Sequence, residues 1–153
     1  MKSLHKSVLI WYSPKQMFEV VTDVASYQNF LPWCHESSVV EQTEHSMKAS
    51  IGMQLAGFKQ AFTTHNKHIQ NENGGLAVEM ELLDGPFSKL AGKWSFDPIA
   101  GSEDLGTPAC RVKLDLNYEI KSSLLQMAIG AAFDKIANSL VDAFIERAKQ
   151  IYK

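Results

Sequence analysis

Five histidines, two cysteines and 17 carboxylates are the material from which this chain could build a metal site, a nucleophile or an acid–base pair. His5, His35, His45, His65 and His68 form no two-histidine metal spacing on a helix. His65 and His68, read as residues of one strand, point to opposite faces. No metal site is expected. Cys34 and Cys110 lie far apart, with neither metal-ligand spacing nor a disulfide-framework pattern, a usage that suits a reducing cytoplasm. Cys34 reads as a small buried hydrophobe rather than a reactive thiol, since only Lys48 or His35 is placed to lower its pKa. The carboxylates sit mostly at polar-face positions, and no nucleophile elbow, phosphate loop or dinucleotide fingerprint occurs. The chain is therefore expected to have no catalytic residues and to require no cofactor.

The formal charge of −2 gives no global basic field of the kind that releases counterions from nucleic acid, so no DNA partner is expected and any RNA contact must be local. With 153 residues, 45% of them hydrophobic, the chain can fill one sizeable core, and residues 1–153 read as a single domain. The apolar run at residues 8–11 is too short for a signal-peptide core, and nothing approaches the roughly 20 apolar residues of a membrane span. The expected location is the cytoplasm, with membrane contact at most peripheral, at the inner membrane.

The elements that must position any site follow from periodicity. Residues 4–12 are rich in strand formers. Ser13-Pro14-Lys15-Gln16 then combines an N-cap serine, a proline at the first helical position and a glutamine placed for a capping box, with Met17, Val20, Val21 and Val24 forming one apolar stripe. A short helical turn at residues 27–34 breaks into a loop at Pro32. Across residues 39–97, strand-like runs alternate between turn signals at Glu44-His45, Gly57, residues 71–75 and Asp84-Gly85-Pro86. In these runs Ala49, Ile51, Met53 and Leu55 share a face, as do Phe58 with Phe62, Val78 with Met80 and Leu82, and Leu90 with Trp94 and Phe96. Polar partners make each strand half-buried, so the sheet has one wet side. A loop at residues 98–108 leads to the clearest strand, residues 111–120, which has strict period two. From Ser122 or Ser123 onward, apolar residues from Leu125 to Ile151 recur every three or four. That helix of about 29 residues, on the order of 43 Å long, needs a surface to lie on, and the concave face of a sheet supplies it. The reading is seven strands, the first pairing with the last.

The motifs now in hand resemble a known family. Tyr27-x-x-Phe30-Leu31-Pro32-Trp33-Cys34 resembles one signature of the ubiquinone-binding members of the START-like superfamily, and Leu83-Asp84-Gly85-Pro86-Phe87-x-x-Leu90-x-Gly92-x-Trp94-x-Phe96 resembles a second. With Phe133 and Arg147-Ala148-Lys149-x-x-Tyr152, the resemblance covers essentially the whole chain. Within the superfamily the chain is similar to the bacterial ribosome association toxins and their relatives, the mitochondrial coenzyme Q-binding proteins. The resemblance implies an α+β helix-grip fold of the START/Bet v 1 type: a curved antiparallel sheet of about seven strands around a long C-terminal helix, with two short helices after the first strand. It implies two roles from different classes. One is non-catalytic binding of ubiquinone or a similar isoprenoid lipid in support of respiration; the other is binding to the large ribosomal subunit that blocks subunit joining. Superfamily members also include cyclases and dehydrases. Trp33 stands where a small residue is common in the toxins, and Pro32-Trp33-Cys34 is closer to the coenzyme Q-binding relatives, which places ubiquinone first.

For a ligand cavity, the expected lining is Met53, Phe62, Met80, Trp94, Leu116, Met127, Phe133, Ile136 and Leu140, large residues several of which are adaptable methionines. Phe30 and Trp33 are also expected at the cavity, and with Tyr27 they form either a plug at one end of the core or a gate that enters a lipid interface. Gln60 and Thr64 share the parity of Phe58 and Phe62, and are the expected polar groups for a quinone carbonyl, because a buried polar group needs a partner. Asp84-Gly85-Pro86 is read as a tight turn rather than a ligand contact. For a ribosome contact, Lys59, Lys67, Lys89, Lys93, Arg111, Lys113 and Lys121 fall mostly on the outer side of strands, where they either form a basic patch or simply solvate that face.

Overall fold

The computed structural model describes residues 1–102, 106 and 108–152, so part of the loop expected at residues 98–108 lies outside the described residues. Along the chain run β1 (Lys2–Ile10), α1 (Pro14–Thr22), a 3-10 turn (Val24–Ser26), α2 (Tyr27–Phe30), β2 (Cys34–Gln42), β3 (Ser46–Leu55), β4 (Phe58–Gln70), β5 (Leu76–Asp84), β6 (Phe87–Pro98), β7 (Cys110–Ile120) and α3 (Ser123–Ile151). The strands form one antiparallel sheet in the order β1-β7-β6-β5-β4-β3-β2. Strands β2 to β7 each pair with their chain neighbours, as antiparallel strands joined by short turns do. The first strand closes against the last, Lys2 opposite Tyr118 and Ile10 opposite Cys110. This is the helix-grip architecture: a curved sheet with α3 laid along its concave face.

Local chemistry explains the element ends. The Ser13 hydroxyl accepts from the Gln16 amide at 3.1 Å while the Gln16 side chain accepts from the Ser13 amide at 2.8 Å, completing the capping box on α1. Ser122 caps α3 by accepting from the Leu125 amide at 3.1 Å. Ala56 and Gly57, with φ of 50° and 85°, turn β3 into β4, the two-residue connection that matches strand twist. Gly85 has φ of 149°, and a Cβ there would lie 2.5 Å from that of Phe62, so only glycine fits the β5–β6 turn.

Two strands depart from the sequence reading. β1 ends at Ile10, leaving Trp11 67% exposed and outside the ladder. β2 begins at Cys34, five residues before the expected run, with bulges at Cys34/Glu36 and Val39/Glu41. Glu36, Ser37 and Ser38 have little strand preference of their own, but pairing with β3 supplies what propensity does not. Phe58 was expected on a buried face with Phe62; it is 48% exposed, because the β3–β4 hairpin extends past the helix-covered part of the sheet.

Helix α3 buries Ile129, Phe133, Ala137, Val141, Phe144 and Ala148 against the sheet. Each large side chain so removed from water stabilises the fold by about 1.5–3 kcal/mol. Ile151, read as part of that stripe, is instead 45% exposed at the last turn. Polar contacts pin the helix near its middle and at its C-terminal end. Tyr152 donates to the Gln16 carbonyl at 3.0 Å, and Asp134 accepts from Tyr118 at 2.5 Å and from the Lys2 ammonium.

Candidate ligand cavity

Between α3 and the middle of the sheet the core is not filled. A cavity of about 100 Å³ is bounded below by Ala49 and Ile51 of β3, Phe62, Thr64 and Asn66 of β4, Met80 of β5, Leu90 and Trp94 of β6 and Leu116 of β7. Phe133, Ile136, Leu140 and Phe144 of α3 roof it, and Val24, Tyr27, Leu31 and Trp33 close one side. Small inward residues explain the hollow. Ala49, Thr64 and Asn66 take inward positions on β3 and β4, whereas the space at Gly92 of β6 is filled by Met80 and Leu116 of the neighbouring strands, whose side chains lie 2.7 and 3.1 Å from where its Cβ would be.

The walls are apolar except for one buried pair. Thr64 donates to the Asn66 side-chain oxygen at 2.9 Å. The pair is 4% and 7% exposed, and among the described residues no further side-chain hydrogen bond engages it, so the Asn66 NH₂ group remains a donor in an otherwise apolar cavity. Tyr27 is the one ionisable residue among the described residues of the lining. Burial drives its phenol well above the ordinary tyrosine value, with the Asp23 and Cys34 charges adding to the effect, and its hydroxyl is held by the Val21 carbonyl.

A second, open groove of about 360 Å³ runs outside the cavity between α3 and the β3–β4 hairpin, lined by Pro32, Gln54, Leu55, Ala56, Ala132, Lys135, Ser139 and Ala143. Leu31, Trp33 and Ile136 belong to both spaces. These three side chains form the partition between an inner chamber and a more open outer groove.

The structure thus places Trp33, Phe62, Thr64, Met80, Trp94, Leu116, Phe133, Ile136 and Leu140 around one space. Four expected residues lie elsewhere. Met53 is fully buried but packs in solid core; Gln60, its cross-strand partner near the hairpin, lies beyond the cavity. Phe30 packs against Phe144 with ring centroids 5.6 Å apart, under the Arg147 guanidinium at 5.0 Å. Met127 is 84% exposed and cannot line an interior space; at 100° per residue it lies on the side of α3 opposite Ile129 and Phe133. Eight lining residues were not among those expected, Val24, Tyr27, Leu31, Ala49, Ile51, Asn66, Leu90 and Phe144, and Asn66 is the polar one. Its parity with Thr64, two positions on, was the available signal.

Other candidate chemistry resolves into packing. Cys34 is buried and its thiol is shifted upward by that burial, and Cys110 is pushed up to about 12 by burial and the nearby Asp97 charge, so neither is a ready thiolate. His68 sets its ring edge-on to Phe18 at 5.2 Å while His65 faces solvent, and burial, helped by His45, lowers the His68 pKa. Among the described residues no three His, Cys, Asp or Glu side chains gather in a metal-binding group. The outer sheet face carries no block of one sign across its middle. One cross-strand row reads His5, Asp115, Lys93, Glu79, Lys67, and Lys113 pairs with Asp97 at 3.5 Å.

A hollow between a curved sheet and a gripping helix, with both signature motifs placed at its wall, invites comparison with known proteins. Residues 10–145 match the family model described as polyketide cyclase / dehydrase and lipid transport. The chain belongs to that START-like family. Within the family it is 41% identical to the ribosome association toxin RatA of Vibrio cholerae over 152 residues, 99% of each chain. It is 28% identical to the mitochondrial coenzyme Q-binding protein COQ10 of Drosophila melanogaster over 146 residues, 95% of this chain and 57% of that one. A START superfamily protein from Mycobacterium smegmatis superposes with a TM-score of 0.72 at 16% identity, covering 97% of this chain and 98% of the other, a likeness of fold. No described helix of this START-like chain is long and apolar enough to cross a membrane.

Proposed function

We propose that the chain binds, without catalysis and without a resident cofactor, an apolar ligand that carries a carbonyl on a ring, of the ubiquinone class. The observation that carries the reading is the Thr64–Asn66 pair in an otherwise apolar chamber: a buried amide donor favours a ligand with an acceptor, and the walls reward apolar area at about 25 cal/mol per Å². The chamber alone is smaller than the roughly 150 Å³ cavity known to hold a benzene ring, so the ligand head displaces Met80 and the tail leaves past Trp33 and Ile136 into the groove. Chamber and groove together reach the range of small-molecule sites, about 300–1,000 Å³. The coenzyme Q-binding relative supports the class of ligand. A cyclase or dehydrase reading lacks the convergent pair of shifted groups that acid–base chemistry needs, since Tyr27 is the one titrating group among the described lining residues. Native mass spectrometry of protein purified from its own host, followed by extraction of any bound small molecule, tests the proposal. A stoichiometric quinone supports it. An empty protein that also fails to take up added short-chain ubiquinone sinks it.

A second reading, association with the large ribosomal subunit in the cytoplasm, is favoured by the 41% identity to a protein named for it over essentially its whole length. The two readings use different surfaces of one molecule, the interior for the ligand and the exterior for the subunit. Co-sedimentation with purified subunits, weakening as salt is raised, is the expected result for this reading.

A further inference from the structure

The two ends of the sheet differ in what they expose. At one end lie the β2–β3 turn and residues 71–75, whose tips carry Glu44 and Glu72 among polar residues, with Leu9 (46% exposed) and Trp11 (67%) at the end of β1. At the other end lie the β3–β4 hairpin, the β5–β6 turn and the β7–α3 junction. This second end presents Phe58 (48% exposed), Leu83 (51%), Leu124 (79%) and Met127 (84%) to solvent. On α3 the outward face begins apolar, with Leu124, Met127 and Ala131, and turns polar at Lys135 and Asn138 one to two turns later. That change along one face is unexplained by packing, because these side chains touch no core. Lys59, Lys89, Lys121 and Lys135 lie on the strands and helix that reach this end, and among the described residues none of the four makes an ion pair. Against them stand Glu36, Asp84 and Glu119, while Asp134 is already held by Lys2. Four lysines against three carboxylates make this end positive in a chain of net charge −2.

We propose that this end docks on an anionic phospholipid bilayer, with Phe58, Leu83, Leu124 and Met127 entering the interface and the four lysines meeting lipid phosphates. Exposed apolar side chains with unpaired lysines at the same end are what an acidic lipid surface selects, the apolar area supplying depth and the charges supplying attraction within a Debye length. The occupant also fits the interior. Ala56 at the hairpin tip and Lys135 on α3 form the rim of the open groove, so a docked molecule would turn the groove mouth to the membrane. The inference concerns the outer surface and holds whichever ligand the chamber takes.

Flotation of the full chain on a density gradient tests it, with vesicles of phosphatidylcholine alone and of phosphatidylcholine with phosphatidylglycerol. The wild-type chain is expected to float with the anionic vesicles and about ten-fold less with the neutral ones. The double variant Leu124→Glu/Met127→Glu should lose about ten-fold or more. Its fold is safe, because both residues are exposed and glutamates suit a helix N-terminus. Phe58→Glu, on a separate element, should weaken flotation independently. Trp11→Glu, equally exposed at the far end, should float like wild type. Absence of flotation with anionic vesicles overturns the inference, and so does a Trp11→Glu loss equal to that of the double variant. A double variant that floats normally but no longer co-sediments with ribosomal subunits overturns it too, assigning this face to a ribonucleoprotein.

Discussion

Two neighbouring regions under α3 are built on the same alternating pattern and end in opposite states. Over β1 and the adjoining ends of β6 and β7 the space is full: Phe133 packs against Tyr118 at 4.8 Å and Phe87 at 5.0 Å, and Asp134 ties Tyr118 and Lys2 to the helix. From β3 across to Leu116 of β7 the space is hollow, because the inward positions include Ala49, Thr64 and Asn66. Period two decides which side of a strand is inside. Side-chain volume decides whether the inside is solid. The filled region anchors the helix so that the hollow region can persist without collapsing.

The comparison breaks most readily at the residue that serves both regions. Phe133→Ala should destabilise the protein by about 3–5 kcal/mol in denaturant unfolding, since it removes an aromatic from the filled side and enlarges the void on the other. Ala49→Leu should do the reverse, filling the chamber from β3. Quinone uptake, read by quenching of tryptophan fluorescence, should fall about a hundred-fold, or about 2.7 kcal/mol, while stability changes little.

Asp134→Asn sharpens the contrast from the filled side. Partial burial raises the Asp134 carboxyl, but hydrogen bonds from Lys2 and Tyr118 and the Lys2 charge outweigh it and hold the pKa below the ordinary value. A depressed folded pKa stabilises fully above the ordinary carboxylate range near pH 4 and is lost as pH falls through the folded value. The variant should lose about 1–2 kcal/mol at neutral pH and show a shallower decline in stability on acidification. Equal acid sensitivity in the two proteins would refute the role of this contact. The smallest effect expected is that of Thr64→Val, about five-fold in quinone affinity, because Asn66 keeps its donor but loses the bond that orients it.

The elements were legible because their signals are local. The capping box at Ser13, the alternation of β7 and the three-to-four repeat of α3 each lie within a few residues of one another, and each appears in the structure where the pattern put it. The early start of β2 was not legible, since Glu36, Ser37 and Ser38 owe their strand to β3. Nine of the thirteen residues expected at the cavity do line it, because parity and helical spacing select the inward face. The misses have different causes, and Phe30 turns to Phe144 instead of the cavity. Gln60 and Met53 have the right parity but sit too near the hairpin, and Met127 was assigned to the cavity although it lies off the core-facing stripe.

The order of elements, the wet and dry faces of the sheet, the helix caps and the family likeness are therefore properties of the sequence, set by interactions between residues close in the chain. Tertiary structure decided the rest. Whether the space over β3 to β6 is a solid core or a chamber depends on the summed volumes of side chains from five strands and one helix against the curvature of the sheet. That Asn66 lies in the hollow, that Trp33 and Ile136 divide it from an outer groove, and that Phe58, Leu83, Leu124 and Met127 share one end are consequences of the same long-range assembly.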